Sequence, residues 1–208
     1  MTTGDSLYND LRPRLRDATK APHHRIDHRP LMAPLVRGDL TARLYGDALL
    51  ALYSFHAPSE RAFAAFLNDP DAVPPPRSAW LAADLDRLGR TEITQSAIGS
   101  VWSGQPPASP SEYIGMRYVI EGGSLGARAI LAPLIERLPS ECKSVTRFFD
   151  GQQEERDWLN FWALAERLGP LDADATIHAA TRFFGEIESL ADRRWQESHG
   201  TGSASTKK

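Results

Sequence analysis

The chain has 208 residues, enough for one domain or at most two small ones. Hydrophobic residues make up 41% of it and charged residues 25%, which argues against a disordered, collagen-like or coiled-coil protein. The 24 Lys and Arg residues against 27 Asp and Glu give a formal net charge of -3, so no positive surplus is present to hold nucleic acid through its phosphates. We therefore expect no nucleic-acid partner.

The cysteine content and the lack of a long apolar run indicate the cellular setting. Cys142 is the only cysteine, so the chain cannot form an internal disulfide or a Cys-rich zinc or iron–sulfur site. No apolar run approaches the roughly 20 residues that span a bilayer, and the charged N-terminal segment lacks the core of a signal peptide. The sequence predicts a reduced, cytoplasmic protein with no membrane partner.

Apolar residues recur every three or four positions along most of the chain, which predicts an all-α, single-domain bundle. We expect residues 1–198 to form this helical domain and residues 199–208, rich in Ser, Thr, Gly and Lys, to form a flexible tail. Thr41 is an expected N-cap, and Pro22 is expected to make the first helix start late or kink. The predicted helices cover about 7–28, 41–66, 78–88, 111–138, 146–168 and 172–196.

The first predicted helix contains three of the six histidines: His23, His24 and His28. Asp27 follows His23 by four residues, so its carboxylate can accept the imidazole Nδ1–H and leave Nε2 free as a ligand. Arg16 lies about two turns earlier near the same face. This pattern suits a metal with an anionic organic periphery. A solvated polar face is the alternative, and His24 is a second candidate ligand.

The fourth predicted helix contains interior glycines, each of which costs about 1 kcal/mol relative to alanine. Gly122 and Gly126 clear one stripe of this helix, so a flat or bulky group can approach its backbone. Tight contact with another helix explains the same spacing equally well. Tyr118 lies one turn before Gly122 and either places its phenol at the rim of the gap or packs in the core.

Two segments of the chain resemble the proximal and distal helices of bacterial haem oxygenases, in the branch often associated with bacteriophytochromes. The first is Leu15-Arg16-Asp17-Ala18-Thr19 followed by His23, Ile26 and Asp27, and the second is Tyr118-Val119-Ile120-Glu121-Gly122-Gly123-Ser124-Leu125-Gly126-Ala127-Arg128. Trp80-Leu81, the Phe148-Phe149-Asp150-Gly151 turn and Trp158 extend the likeness over about residues 10–195.

The resemblance implies a haem-oxygenase-like helical bundle. Members of this family bind haem as substrate and cofactor, and cleave it with O₂ and electrons to biliverdin, carbon monoxide and ferrous iron. The roles that the resemblance implies are axial iron ligand for His23, its orientation for Asp27, propionate anchoring for Arg16 and Tyr118, and the distal helix over the haem for Gly122 and Gly126.

The resemblance also implies partners, and it leaves other functions open. An external reductant such as a ferredoxin or a reductase has to supply the electrons, and a bacteriophytochrome is a possible recipient of the biliverdin. One alternative is a non-enzymatic haem-binding or haem-trafficking protein on the same fold. Another is a cofactor-free hydrolase or quinone-forming oxidase, because helical bundles host those activities too.

Several positions depart from the family pattern or allow more than one interpretation. Gly123 stands where many members carry an Asp that organises distal water, so we expect Glu121, Ser124 or backbone groups to take that role, or turnover to be slower. His56 is expected to be a buried, hydrogen-bonded histidine. Further candidates for propionate binding are Arg128, Arg147 and Arg182. Core packing is expected of Trp158, Trp162, Phe183 and Phe184.

Overall fold

A computed structural model describes residues 3–67, 75–90, 106–152 and 156–200, and every regular element in these ranges is a helix. The α-helices are α1 (Thr3–Asp27), α2 (Ala33–Val36), α3 (Ala42–Phe66), α4 (Arg77–Arg87), α5 (Pro110–Arg137), α6 (Arg147–Asp150), α7 (Arg156–Leu168) and α8 (Ala173–His199). A 3₁₀ turn, Ser140–Cys142, follows α5. The predicted all-α fold is confirmed.

Side-chain caps fix the starts of three long helices close to where the sequence predicts them. In each case the capping oxygen accepts the backbone N–H three residues later. The caps are Thr41 with Leu44 (3.2 Å), Ser109 with Glu112 (3.2 Å) and Asp172 with Ala175 (3.0 Å).

The predicted single helix from residue 146 onward is wrong, because α6 and α7 are separate. The carboxylate of Asp84 in α4 accepts the first two N–H groups of α6, at 3.0 and 2.8 Å, so a helix begins at Arg147. α6 ends in a turn at Gly151, where a Cβ atom would lie 2.7 Å from the Trp80 ring. A tight contact between the turn and α4 therefore separates the two helices.

The first and last helices are both longer than the sequence predicts. α1 begins at Thr3 and continues through Pro13 and Pro22, so a late start after Pro22 is wrong. Leu11 and Leu15 are fully buried, and packing of this face against α8 holds the helix together despite its prolines. α8 reaches His199, the first residue assigned to the flexible tail, while residues 201–208 lie outside the described ranges.

α5 and α8 form the most extensive helix contact of the bundle, and α1 packs on α8 beside them. Gly115 makes the α5–α8 contact possible, since a Cβ atom there would overlap the backbone oxygen of Thr176 and lie 2.9 Å from Ala179 Cβ. By length and composition alone α5 is apolar enough to cross a membrane. Its buried Arg117 and Glu121 are paired with each other, as is typical of the core helix of a bundle.

Candidate functional site

A cavity of about 540 Å³ lies where α1, α5, α7 and α8 meet. Its size is within the range of small-molecule and cofactor sites. Its walls combine apolar and aromatic side chains with cations and one imidazole. The lining residues are Arg12, Pro13, Arg16, Thr19, Lys20, His23, Tyr118, Val119, Gly122, Leu125, Trp158, Trp162 and Phe184.

His23 and Asp27 are in contact on α1, as their spacing predicts. His23 Nδ1 lies 3.0 Å from Asp27 Oδ2, and both side chains are partly exposed. The hydrogen bond to Asp27 raises the pKa of His23 above its ordinary value, against an opposing effect of partial burial. With Nδ1 held by the carboxylate, Nε2 is the nitrogen left for a metal.

His24 does not line the cavity. Its ring lies 4.1 Å from the ring of His28, measured between centroids, and both side chains are exposed. A helix turns about 100° per residue, so a side chain next to His23 in sequence points elsewhere. Of the two neighbouring histidines, the structure brings only His23 to the cavity.

The glycines of α5 occupy two different environments. Gly122 lines the cavity, and a Cβ atom at Gly122, Gly123 or Gly126 would meet no atom of the described residues within 4 Å, apart from its chain neighbours and the nearby backbone of α5. Tight helix contact, the alternative interpretation of this spacing, therefore applies to Gly115 and not to these positions. Gly126 is open but is not among the lining residues, whereas its neighbour Leu125 is.

Three cations follow one another along α1 beside the cavity. Arg12, Arg16 and Lys20 are four residues apart, so they share one face of the helix. The Arg12 guanidinium lies 4.4 Å from the centroid of the Trp162 ring, while the Arg16 side chain is 75% exposed. The sequence predicted only Arg16, although the four-residue spacing also marks Arg12 and Lys20. Together they suit an anionic group at the cavity rim.

Tyr118 lines the cavity within an aromatic wall. Its ring centroid lies 5.7 Å from that of Trp158 and 6.2 Å from that of Trp162. Burial raises the pKa of Tyr118, which is hydrogen-bonded to Thr19. The Thr19 hydroxyl donates to the Leu15 carbonyl at 2.7 Å. Its hydrogen bond with the Tyr118 phenol opposes the rise in pKa and links α5 to α1.

Core packing is an incomplete account of the aromatic residues on the last two helices. Trp158, Trp162 and Phe184 line the cavity, and the Phe184 ring stands edge-on to His23 with centroids 5.9 Å apart. Phe183 is buried in the core, 4.8 Å from Phe55 between ring centroids. Helical spacing of aromatic residues is the same for a core and for a cavity wall, so the sequence could not separate the two roles.

Glu121 and Ser124 lie on the face of α5 that points away from the cavity. The expectation that one of them organises distal water in the cavity is therefore wrong. The Glu121 carboxylate is fully buried and accepts from Arg77 and from Arg117, each at 2.7 Å. Ser124 Oγ accepts from Arg77 at 2.7 Å and donates to Gln152 at 3.2 Å. Of the expected alternatives, two remain: backbone groups of α5 that organise the water, or slower turnover.

The other basic candidates are not at the cavity. Arg128, Arg147 and Arg182 are absent from its lining. Arg182 Nη2 lies 3.9 Å from Glu112 Oε2, and Arg147 borders a separate shallow depression beside Trp80. The three positions could not be ranked from sequence because their distance from α1 depends on the packing of the bundle.

His56 is buried, as expected, but its predicted hydrogen bonding is incomplete. Its Nδ1 has no hydrogen-bond partner in the part of the chain that the structure describes. Burial, together with the positive charge of Arg77, lowers the pKa of His56 to about 3. The ring is therefore neutral and packs edge-on to Phe55 and Phe148.

Comparison with known proteins supplies the family and the fold. No curated protein matches the sequence. A structure of heme oxygenase from Leptospira interrogans is 16% identical with a TM-score of 0.62, covering 88% of this chain and 98% of that chain. Heme oxygenase-1 from the cyanobacterium Synechocystis sp. PCC6803, solved in complex with heme, is 16% identical with a TM-score of 0.61, covering 90% and 93%. The family described as Heme oxygenase matches residues 9–186, and the chain therefore belongs to the heme oxygenase family.

Proposed function

We propose that this protein binds haem in the cavity between α1 and α5 and cleaves it. The substrates are haem, O₂ and electrons from an external donor, and the products are biliverdin, carbon monoxide and ferrous iron. One observation carries the proposal: His23, with its Nδ1 held 3.0 Å from Asp27, and the bare backbone at Gly122 line the same cavity. Membership of the heme oxygenase family supports it.

The residues that line the cavity suit the chemistry of haem. The aromatic wall of Trp158 and Trp162 suits a flat apolar ring, and the open face at Gly122 admits it close to the α5 backbone. Arg16 and Lys20 stand on the same helix as the imidazole, where they can pair with two propionates.

When haem is bound, its iron supplies the O₂ chemistry. The side chains of the protein hold the haem and orient its ring. His23 would hold the iron through Nε2, and Asp27 would keep the proton on Nδ1. Arg16 and Tyr118 hold the propionate edge, which orients the ring. Gly122 and Gly126 leave space for O₂ on the distal side.

Proton supply in this site relies on water and backbone groups. No carboxylate is present among the described residues that line the cavity. The open stretch around Gly122 exposes backbone and leaves space in which ordered water can bind. Water held by this backbone would take the role of the Asp that many family members carry at the position of Gly123.

A hemin titration with two histidine variants tests the proposal. The wild-type protein should bind hemin one to one and, with ascorbate or reduced ferredoxin under O₂, produce the broad red absorption band of biliverdin. His23→Ala should lose the normal ferric-haem spectrum and turnover, while His24→Ala should keep both because His24 is outside the cavity. A His23→Ala variant that kept both would remove His23 as the ligand.

Large side chains in place of the glycines of α5 test whether haem cleavage can be blocked while hemin binding is kept. Gly122→Leu and Gly126→Leu should each block haem cleavage more than hemin binding, with the larger effect at Gly122 because it lines the cavity. Unchanged cleavage in Gly126→Leu would count against its distal role. Haem loss without biliverdin would favour the haem-trafficking alternative, and failure to bind hemin would favour a cofactor-free enzyme.

We also propose a cytoplasmic protein that delivers biliverdin to a bacteriophytochrome and receives electrons from a ferredoxin or reductase. The likeness of the Tyr118–Arg128 segment to the bacteriophytochrome-associated branch supports this partner. Incubation of the reaction with an apo-bacteriophytochrome should yield a red-absorbing covalent adduct. Its absence, with free biliverdin present, would reject this recipient.

A further inference from the structure

We propose that Arg77, which lies outside the cavity, is a positioning residue that holds the Gly122 segment of α5 in place over it. The inference rests on the proposed function, because the Gly122 segment faces haem only if haem binds in the cavity. Arg77 opens α4, and its side chain is 1% exposed, one of the most deeply buried in the described chain. Such burial of a guanidinium calls for a specific set of partners.

α5 presents two stripes that are offset by one residue. Tyr118, Gly122 and Leu125 line the cavity. The stripe one residue earlier, Arg117, Glu121 and Ser124, is buried and points about 100° away. Because the helix is rigid over two turns, any group that fixes Glu121 and Ser124 also fixes the rotation and depth of Gly122.

Arg77 binds this rear stripe at two points. Its Nη2 donates to Glu121 Oε2 and to Ser124 Oγ, each at 2.7 Å. Its Nε donates to Gln152 Oε1 at 3.3 Å, and the Gln152 amide donates to the Phe148 carbonyl at 2.9 Å. The planar fork of one guanidinium thus joins α5 to the turn after α6, which the point charge of a lysine cannot do.

Packing of α4 alone would not place α5, since α4 lies chiefly against α3 and α6. Arg77 therefore supplies the polar connection from α4 to α5, beside the direct Ser124–Gln152 hydrogen bond and the packing of α6 on α5. Glu121 also accepts from Arg117 Nη2, at 2.7 Å. Burial raises the pKa of the nearby Glu60, and hydrogen bonds from Ser78, followed by the charge of Arg77, oppose that rise. A buried ion pair of this kind adds little net stability compared with apolar packing, so we assign it to orientation.

Two variants and a matched control test the role. Arg77→Lys keeps the charge but loses the fork. Ser124→Ala removes the hydrogen bonds of Ser124 with Arg77 and with Gln152, with little risk to folding. Tyr45→Phe is the control, because the buried Tyr45 hydroxyl donates to the Val145 carbonyl at 2.6 Å and lies outside both the cavity and the Arg77 contacts. The measurements are thermal stability, amide hydrogen exchange of peptides covering residues 117–128 in the haem-free protein, hemin affinity, and the rate of biliverdin formation.

Arg77→Lys should speed exchange in residues 117–128 by about tenfold, the effect of losing one charged hydrogen bond. It should slow haem cleavage by about 10- to 100-fold, as expected for a misplaced distal backbone, with hemin affinity changed by less than about threefold. Ser124→Ala should show smaller changes in the same direction. Tyr45→Phe should lower thermal stability but leave both the exchange over residues 117–128 and the rate of haem cleavage unchanged.

Two results would overturn the inference. One is unchanged exchange over residues 117–128 in both Arg77→Lys and Ser124→Ala. The other is a loss of cleavage in Tyr45→Phe equal to that in Arg77→Lys at the same loss of thermal stability. If the wild-type protein fails to bind hemin, the proposed function fails, but the exchange experiment on the haem-free protein still decides the role of Arg77.

Discussion

Alanine at Gly115 and at Gly122 should have opposite effects on the stability of the haem-free protein, although both glycines lie inside α5. A methyl group at Gly115 would overlap the Thr176 backbone oxygen and lie 3.0 Å from the backbone nitrogen of Ala180. Backbone atoms of α8 cannot move aside as a flexible side chain can. A methyl group at Gly122 meets no described atom within 4 Å apart from its chain neighbours and the nearby backbone of α5.

The magnitudes follow from helix propensity and packing. Replacement of an interior helical glycine by alanine stabilises a helix by about 1 kcal/mol. Nothing opposes this gain at Gly122, so the free energy of unfolding should rise by about 0.5–1 kcal/mol. At Gly115 overpacking costs about 1–3 kcal/mol, and the α5–α8 contact is the most extensive in the bundle, so we place the net loss at about 1–2 kcal/mol.

Urea denaturation of the haem-free variants, followed by far-ultraviolet circular dichroism, measures both changes. The two variants should differ by about 1.5–3 kcal/mol in unfolding free energy, with changes of opposite sign relative to the wild type. Gly126→Ala, which is also open, should behave like Gly122→Ala. A Gly122→Ala variant as destabilised as Gly115→Ala would mean that protein packs against Gly122, and the cavity would have no open distal face.

Two further predictions concern α1. Iron binds the neutral imidazole, and Asp27 raises the pKa of His23, so hemin affinity should fall by about tenfold per pH unit below that pKa. Asp27→Asn should lower the pKa of His23, so hemin affinity should begin to fall at a lower pH than in the wild-type protein. Hemin titrations over a range of pH measure this shift, and an unchanged pH midpoint would contradict the role of the His23–Asp27 pair. Arg16→Glu and Lys20→Glu should each weaken hemin binding by about threefold to tenfold at low salt, and much less for a haem dimethyl ester, which lacks propionate charge. Arg14→Glu, on α1 but absent from the cavity lining, is the matched control, and an equal loss in that variant would point to a general effect of charge.

Local contacts explain why the helices and the His23–Asp27 pair could be predicted from the sequence. An N-cap such as Thr41 or Asp172 bonds three residues along the chain, and His23 meets Asp27 one turn later. The break between α6 and α7 could not be predicted in this way. The carboxylate that starts α6, Asp84, precedes its partner by 63 residues.

The rest of the site depends on contacts between distant segments. No local pattern in the sequence marks Arg77, because its partners Glu121 and Ser124 lie 44 and 47 residues further on. The sequence offers these two partners among the alternatives for organising distal water, because they lie next to or near Gly123 in the chain. Only the rotation of α5 within the bundle distinguishes its front from its rear, and tertiary packing sets that rotation.

Because the two stripes of α5 are offset by one residue, this segment should tolerate substitutions better than insertions or deletions. A substitution changes one position, and its neighbours can adjust around it. A single inserted residue before Glu121 would turn the following helix by about 100°, bring Glu121 and Ser124 into the cavity, and set Gly123 beside Arg77. Drift among related sequences should therefore replace residues between positions 117 and 125 while leaving their number unchanged.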